Sequence, residues 1–494
     1  MAIARQPTDE TSARNRWLYL SGCILIVALA AVIRIRAAQN DLWLDEIWSL
    51  DFAATISSPA EVFTKIHHDN NHYFTTLWFY VIGPHSSSLV YRLPSIIAGV
   101  GTVILAGLIG RRRSMATAIL AMAVTTASYV LILYSSEARG QAPVIFCAFL
   151  SYYLLDRYFK QPSIRSALWF SFSAVLGFLS HLIFLNFYLA ALSWSAYHLI
   201  TSKRALRSTI QKESGLAKSF AAAMTSLHGL PIAFLAVLYF VDIKHIRVGG
   251  GTSIALLQAS FDFLTWALGP PPADWMRPLS CLITIAVLAA GILLLWRERS
   301  DSTLFFIGVI VIFPILLALI SRIESLYLRH FILGIAFLLI LFSFVLDWIW
   351  AQRIWGKAVC FILLAGFFAA NSFPLASLFK NGRGHYRDAA RFMAEHSRRN
   401  VVTVGSDHDL RIPMVLQFYA QEAIGNKVGP YYRHEAWPPE GPEWVICHKE
   451  SFENPAPPAT FLTDQAGNRY DLVQTFPTAP LSGLHWFIYQ QRPW

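Results

Sequence analysis

The chain has 494 residues, of which 55% are hydrophobic and 14% charged, and it carries a net charge of +10. A soluble globular protein holds about a quarter charged residues, so this balance, with 14% aromatics and 16 Trp, excludes a disordered chain, a coiled coil and an ordinary soluble enzyme. It points to a polytopic α-helical membrane protein; the strand and helix pattern of the tail adds a small C-terminal α/β domain.

A helix needs about 20 apolar residues to cross the hydrocarbon core. Eleven stretches reach or approach that length: 17–36, 88–110, 114–134, 140–159, 164–180, 182–200, 219–241, 278–296, 303–321, 329–350 and 356–375. The first is too long for a signal-peptide core and is followed by Arg34 and Arg36 rather than a cleavage site, so it reads as a retained span. With the N-terminus inside, the cytoplasmic tail and connections hold 18 Lys and Arg against ten on the other side, and Arg111-Arg112-Arg113 is the clearest inside signal. The odd number of spans then puts the C-terminus outside. The positive balance is thus explained by topology, and no nucleic-acid partner is expected. Four of the five cysteines lie in apolar runs, and no metal-finger or disulfide spacing appears.

The expected division is a transmembrane domain at 1–375, with outer loops 37–87 and 242–277, followed by an extracytoplasmic domain at 376–494. Both loops are rich in Trp, Tyr and Pro, as ordered loops are. In the tail the pattern predicts helices over 385–397 and 413–421 and strands over 401–405, 444–447, 470–474 and 486–490. Strand, helix, strand suggests a Rossmann-like unit, without the glycine fingerprint of a dinucleotide site.

Candidate chemistry gathers at the outer ends of the spans. The run Asp41-Leu42-Trp43-Leu44-Asp45-Glu46-Ile47-Trp48 sets adjacent carboxylates among tryptophans. A low-dielectric edge would raise a carboxyl pKa towards that of a general base; a helix N-terminus with a Trp interfacial anchor explains the run equally well. His67-His68-Asp69-Asn70-Asn71-His72-Tyr73 suits a polar acceptor site, a divalent metal, or a helix cap. If helical, it would set His68 and His72 on one face. A metal is compatible with these residue types and not required by them. Arg92, Arg139 and Arg329 each end a span. Charges so close to hydrocarbon need partners, either a carboxylate such as Glu137 or an anionic ligand, for which the guanidinium fork is suited. Tyr134 and His181 lie at the same face, with His181 in the tight turn between the fifth and sixth spans.

In this order, the motifs resemble those of GT-C membrane glycosyltransferases of the protein O-mannosyltransferase and lipid A aminoarabinose transferase type. Trp43-Leu44-Asp45-Glu46 is similar to the family's acidic pair in its first outer loop. His68-Asp69-Asn70-Asn71-His72-Tyr73 with Tyr91-Arg92-Leu93-Pro94-Ser95 resembles its Asp-x-His-Pro-Pro…Arg-Leu-Pro-Ser pattern. Tyr134-Ser135-Ser136-Glu137-Ala138-Arg139 resembles Tyr-Ser-x-Glu-x-Arg, and Leu328-Arg329-His330 a late Arg-Tyr segment. The chain departs from the pattern where Asn70-Asn71 replaces Pro-Pro.

The resemblance implies a GT-C fold and a polyprenyl-phosphate-linked sugar donor. It also implies inverting transfer to a lipid, glycan or protein hydroxyl at the outer face of a bacterial inner membrane. Asp45 would be the base and Glu46 its orienting partner. Arg139 and Arg329, with Arg92, would bind the donor phosphate, while Asp69, His72 and His68 would line the acceptor or metal side. Asp45, Asp69, Arg139 and Arg329 are expected to line one cavity. The alternative is a transporter or lipid flippase, which the absence of internal repeats and the gathering of charge at one face disfavour.

Overall fold

The computed structural model describes residues 9–84, 87–207, 213–249, 251, 253–271, 273–321, 326–352 and 354–493. Arg5, Lys212, Arg322 and Arg353, which enter the charge count, lie outside the described residues. The chain divides into two compact units. The first comprises Met1–Ile35, Ser58–Leu77 and Arg92–Ser372; the second comprises Arg36–Ser57, Trp78–Tyr91 and Phe373–Trp494.

Helix forms over each of the eleven apolar stretches. Among the described residues seven helices are long and apolar enough to cross a membrane, or eight if Met115–Ala127 and Tyr129–Ser135 count as one bent span. Gln141–Lys160, Ile164–Ser180 and Phe184–Arg207 fall short of that measure, so the count of eleven is not confirmed.

The first unit is built around the helix Ile332–Trp350, in which every residue from Ile332 to Leu346 is buried. Apolar on all sides, it can only be the centre of a bundle. Its Phe337 meets Tyr152 and Phe305, which in turn meet Trp194, with ring centroids 4.9 Å apart for Tyr152 and Phe305. The bent pair turns by 63° at Ser128, whose backbone is extended. Buried Asn371 occupies the break: its Oδ1 accepts from Tyr129 N at 2.8 Å, and its Nδ2 donates to Leu268 O and Phe367 O. In Thr303–Ser321 the turn Gly308–Ile312 widens to a π-helix just before Pro314, where an α-turn would clash with the proline ring.

The second unit holds a six-stranded mixed sheet of strands β1 (Val402–Ser406), β2 (Val428–Tyr432), β3 (Trp444–Glu450), β4 (Phe461–Thr463), β5 (Arg469–Phe476) and β6 (Leu484–Gln491), in the order β2-β1-β3-β6-β5-β4. The pairs β1–β2 and β1–β3 are parallel, and the remaining pairs antiparallel. Helix Arg411–Ala423 makes the crossover from β1 to β2. Helix Tyr386–His396 buries Tyr386, Ala389, Ala390, Met393 and Ala394, the helical spacing of one face. The expected α/β tail is present, with β2 and β4 in addition to the strands read from sequence.

Candidate functional site

Within the first unit, the turn from Ser136 to Gly140 is fully buried and leads into helix Gln141–Lys160. It places Arg139 just ahead of a helix N-terminus, where backbone N–H groups and the helix dipole favour an anion. Gly140 is required by proximity rather than by its dihedrals. A Cβ there would lie 1.9 Å from Ser180 O and 3.2 Å from His72 Cγ. The missing side chain lets the Ser180–His181 turn and His72 close on Arg139, and the rings of His72 and His181 sit 4.5 Å apart.

Arg139 Nη2 donates to Asn70 Oδ1 at 2.8 Å, and its carbonyl accepts from Ser95 Oγ at 3.1 Å. Asn71 Nδ2 donates to Val62 O and Ile66 O, while its Oδ1 accepts from Thr76 Oγ1. The Asn-Asn pair therefore does work that prolines could not: one amide aims Arg139 and the other closes the loop on itself.

The electrostatics tie these groups to Arg329, which stacks over the Tyr327 ring at 4.5 Å. Burial, then His181 and the charges of Arg139 and Arg329, hold the His72 imidazole well below its usual range. Burial, then Arg139, His330 and Arg329, do the same to His181. For Asp69, burial would raise the pKa, but the hydrogen bond and charge of His68, with Arg329 and Arg139, outweigh it and leave the carboxyl lowered. Two fixed guanidinium charges thus face two neutral imidazoles and one ionised carboxylate. Around them, His72 Nε2, the Gln141 side-chain amide and Asn186 Oδ1 are buried with no hydrogen-bond partner among the described residues; Asn186 Nδ2 reaches His330 O at 3.5 Å. Leaving such atoms unpaired costs about 1–3 kcal/mol each, and an entering polar ligand would recover it.

Residues 65–72 are not helical, so His68 and His72 do not share a helix face. Instead His68 forms a parallel bridge with Arg247. Arg247 N donates to His67 O at 3.0 Å and Asp69 N to Arg247 O at 3.2 Å. The backbone hydrogen bonds run between the two loops rather than up a helix, which is what the local Asn and Asp side chains favour. Buried Asp242 holds His67 through Nδ1 and accepts from Tyr73 OH at 2.5 Å. The sequence marks Arg247 only as an outside charge in the loop 242–277 and gives Asp242 and His245 no role; their signal is a cluster of polar residues just after an apolar span. Arg92, Tyr134 and Glu137 are buried in this unit, Arg92 in helix Ser88–Arg111. Among the described residues no group of three or more His, Cys, Asp and Glu is arranged to hold a metal ion.

Asp45 and Glu46 belong to the second unit. They occupy the first turn of helix Leu44–Thr55, where the helix dipole favours carboxylates. Glu46 is fully buried and accepts from Trp43 N at 3.2 Å, whereas Asp45 is half-buried. The segment before them is anchored to the tail. Arg387 N donates to Asp41 Oδ2 at 2.9 Å, Arg383 Nη1 to Asn40 Oδ1 at 3.1 Å, and Tyr419 OH to Leu42 O at 3.0 Å.

Residues 71–228 match the family model of dolichyl-phosphate-mannose-protein mannosyltransferases. No curated relative matches the chain by sequence. The fold is similar to that of ArnT from Cupriavidus metallidurans in the apo state, with a TM-score of 0.51 at 12% identity, covering 97% of this chain and 98% of that one. The same protein bound to undecaprenyl phosphate gives a TM-score of 0.48 at 12% identity over 94% and 97%. An oligosaccharyltransferase of Archaeoglobus fulgidus gives 0.44 at 10% identity over 85% and 67%. The likeness to ArnT shows the fold, the family match is confined to residues 71–228, and the long apolar helices mark a multi-pass membrane protein.

Proposed function

We propose that this chain transfers a sugar from a polyprenyl-phosphate donor to an acceptor hydroxyl, with inversion, at the outer face of a bacterial inner membrane. The observation that carries this reading is the pairing of Arg139 and Arg329 with neutral His72 and His181 and with buried, unsatisfied polar atoms. Such a site has positive charge for a phosphate and hydrogen-bond capacity for hydroxyls. No observation favours a transporter.

In the proposed reaction Asp45 accepts the acceptor hydroxyl proton, and the oxygen attacks the anomeric carbon. The bond from that carbon to the phosphate oxygen breaks, and the electron pair leaves with the polyprenyl phosphate. Arg139 and Arg329, with Arg92, stabilise the leaving charge, and no proton is needed there. Glu46 fixes the helix start that presents Asp45. Asp69, His72 and His68 line the acceptor side, and no step is routed through a metal. The N-terminus lies in the cytoplasm and the C-terminal domain outside.

The test uses purified protein with a panel of polyprenyl-phosphate sugars. Asp45→Asn should lower transfer by about 10²–10⁴-fold while donor binding persists. Arg139→Ala and Arg329→Ala should each weaken donor binding and lower transfer by about 10²–10³-fold. Normal transfer by Asp45→Asn and Glu46→Gln alike would end the acid–base assignment.

A further inference from the structure

The first unit carries an apolar groove of about 520 Å³. One wall is a single face of helix Arg277–Arg297, with Ile285, Ala289, Ile292 and Trp296 at helical spacing; the other holds Ile307 and Val311 of Thr303–Ser321. The gap opens where Ala289 offers only a methyl group and the facing helix widens into its π-turn, Gly308–Ile312. Apart from the indole N–H of Trp296, no lining side chain is polar. From Ile285 to Trp296 the groove runs about 17 Å, at about 1.5 Å per residue. One leaflet contributes roughly 15 Å to the hydrocarbon core. Trp296, 73% exposed, marks the head-group level, where tryptophan is enriched.

Charge meets the groove at the Trp296 end. Arg297 and Arg299 are exposed there. Among the described residues neither has a carboxylate partner: Glu298 between them pairs with Arg113, and Asp301 with His198. Arg299 also adopts a left-handed backbone, with φ 54°, in the turn where Ser300 N donates to Leu295 O and ends the helix. Glycine is the usual residue at such a position, so a guanidinium is kept here against the backbone's preference. We propose that the groove binds one acyl chain of an anionic phospholipid, whose phosphate is held by Arg297 and Arg299, in the leaflet that faces Arg111–Arg113. The apolar walls select a hydrocarbon chain over a glycan. The length selects the chain of a single leaflet. The two guanidinium groups select an anionic head group over a zwitterionic one. Arg139 precedes helix Gln141–Lys160, and Arg112 pairs with Asp156 near the far end of that helix, so the proposed donor phosphate and this head group lie at opposite helix ends. Only the name of the leaflet, cytoplasmic, rests on the topology proposed above.

The experiment is native mass spectrometry of the full-length protein titrated with dioleoyl phosphatidylglycerol, dioleoyl phosphatidylcholine or undecaprenyl phosphate. An arginine near anionic head groups is worth about 1 kcal/mol, a factor of about five, so phosphatidylglycerol should bind its first copy at least about tenfold tighter than phosphatidylcholine. Arg297→Gln with Arg299→Gly should abolish that preference. Ala289→Phe, which fills the groove, should weaken both phospholipids, and undecaprenyl phosphate should bind every variant alike. Arg299→Gly alone relieves the left-handed backbone, so it should melt no lower than the unaltered protein in detergent while losing part of the preference, which separates lipid recognition from a folding defect. Equal binding of the two phospholipids, persistence of the preference in the double variant, or indifference of both phospholipids to Ala289→Phe overturns the proposal. Weaker undecaprenyl phosphate binding in Ala289→Phe would assign the groove to the polyprenyl chain and overturn it as well. Failure of undecaprenyl phosphate to bind the unaltered protein would strike the glycosyltransferase reading instead.

Discussion

At the scale of single residues, the site depends on how buried polar groups are paired. Asn70 shows this, because it stands where the related pattern has proline and its side chain aims Arg139. Asn70→Ala should therefore weaken donor binding without touching the donor, and Asn70→Asp should partly restore it, as read by undecaprenyl phosphate titration. His72 gives a pH prediction. Its folded pKa is lowered by burial, His181, Arg139 and Arg329, so below about 6.5 the unfolded chain binds the proton that the folded chain refuses. Stability from this group is complete above that pH and is lost as the pH falls, at up to about 1.4 kcal/mol per pH unit. The melting temperature should drop between pH 7.5 and pH 5, and less steeply in His72→Gln; an unchanged slope in that variant would remove His72 as its source. The sequence revealed the arginines, Asp69 and the histidines because charged residues at apolar boundaries stand out. It did not reveal Asn70 as a partner, since an amide carries no such contrast and its role depends on a residue 69 positions away.

At the scale of elements, the helices were legible and their irregularities were not. Hydropathy marks where a helix runs, but a break is set by tertiary contacts. Neither Ser128 nor Asn371 announces the 63° bend, which exists because an amide from a distant helix satisfies the freed Tyr129 N–H. Removing it leaves Tyr129 N and Leu268 O facing apolar surroundings, so Asn371→Ala should destabilise the protein by about 1–3 kcal/mol. The check is thermal melting in detergent, where a change within error would show that water or a backbone shift replaces the amide. In the sheet, β3 and β6 were visible as apolar runs of buried strands, with burial continuous from Trp444 to Cys447 and from Leu484 to Tyr489. β2 and β4 sit at the two edges and contain no fully buried residue, so their sequences lack that signal, and Val428-Gly429-Pro430 resembles a turn.

At the scale of the whole molecule, the order of the motifs was readable, but the grouping of segments was not. Residues 36–57 cluster with the tail rather than with the spans beside them in sequence, through contacts that no periodicity encodes. The direction of the spans can be argued further from ion pairs. Arg112 pairs with Asp156, Arg113 Nη1 donates to Glu298 Oε2 at 2.8 Å, His198 pairs with Asp301, and Ser114 Oγ donates to Asp347 Oδ1 at 3.1 Å. All these residues lie at span ends that the charge count assigns to the inside, and they converge on one another. The residues around Arg139, His181 and Arg329 converge separately. Two polar clusters at opposite helix ends are what alternating spans produce, and the one containing Arg111-Arg112-Arg113 should face the cytoplasm. A periplasm-dependent reporter joined after Trp494 should then be active, and a cytoplasm-dependent one silent. Replacing Arg111, Arg112 and Arg113 with Gln should lower that asymmetry in a population of inserted chains. Cytoplasmic activity of the unaltered fusion would put every proposed donor and acceptor contact on the wrong side of the membrane for transfer at the outer face, whatever the local geometry of the site.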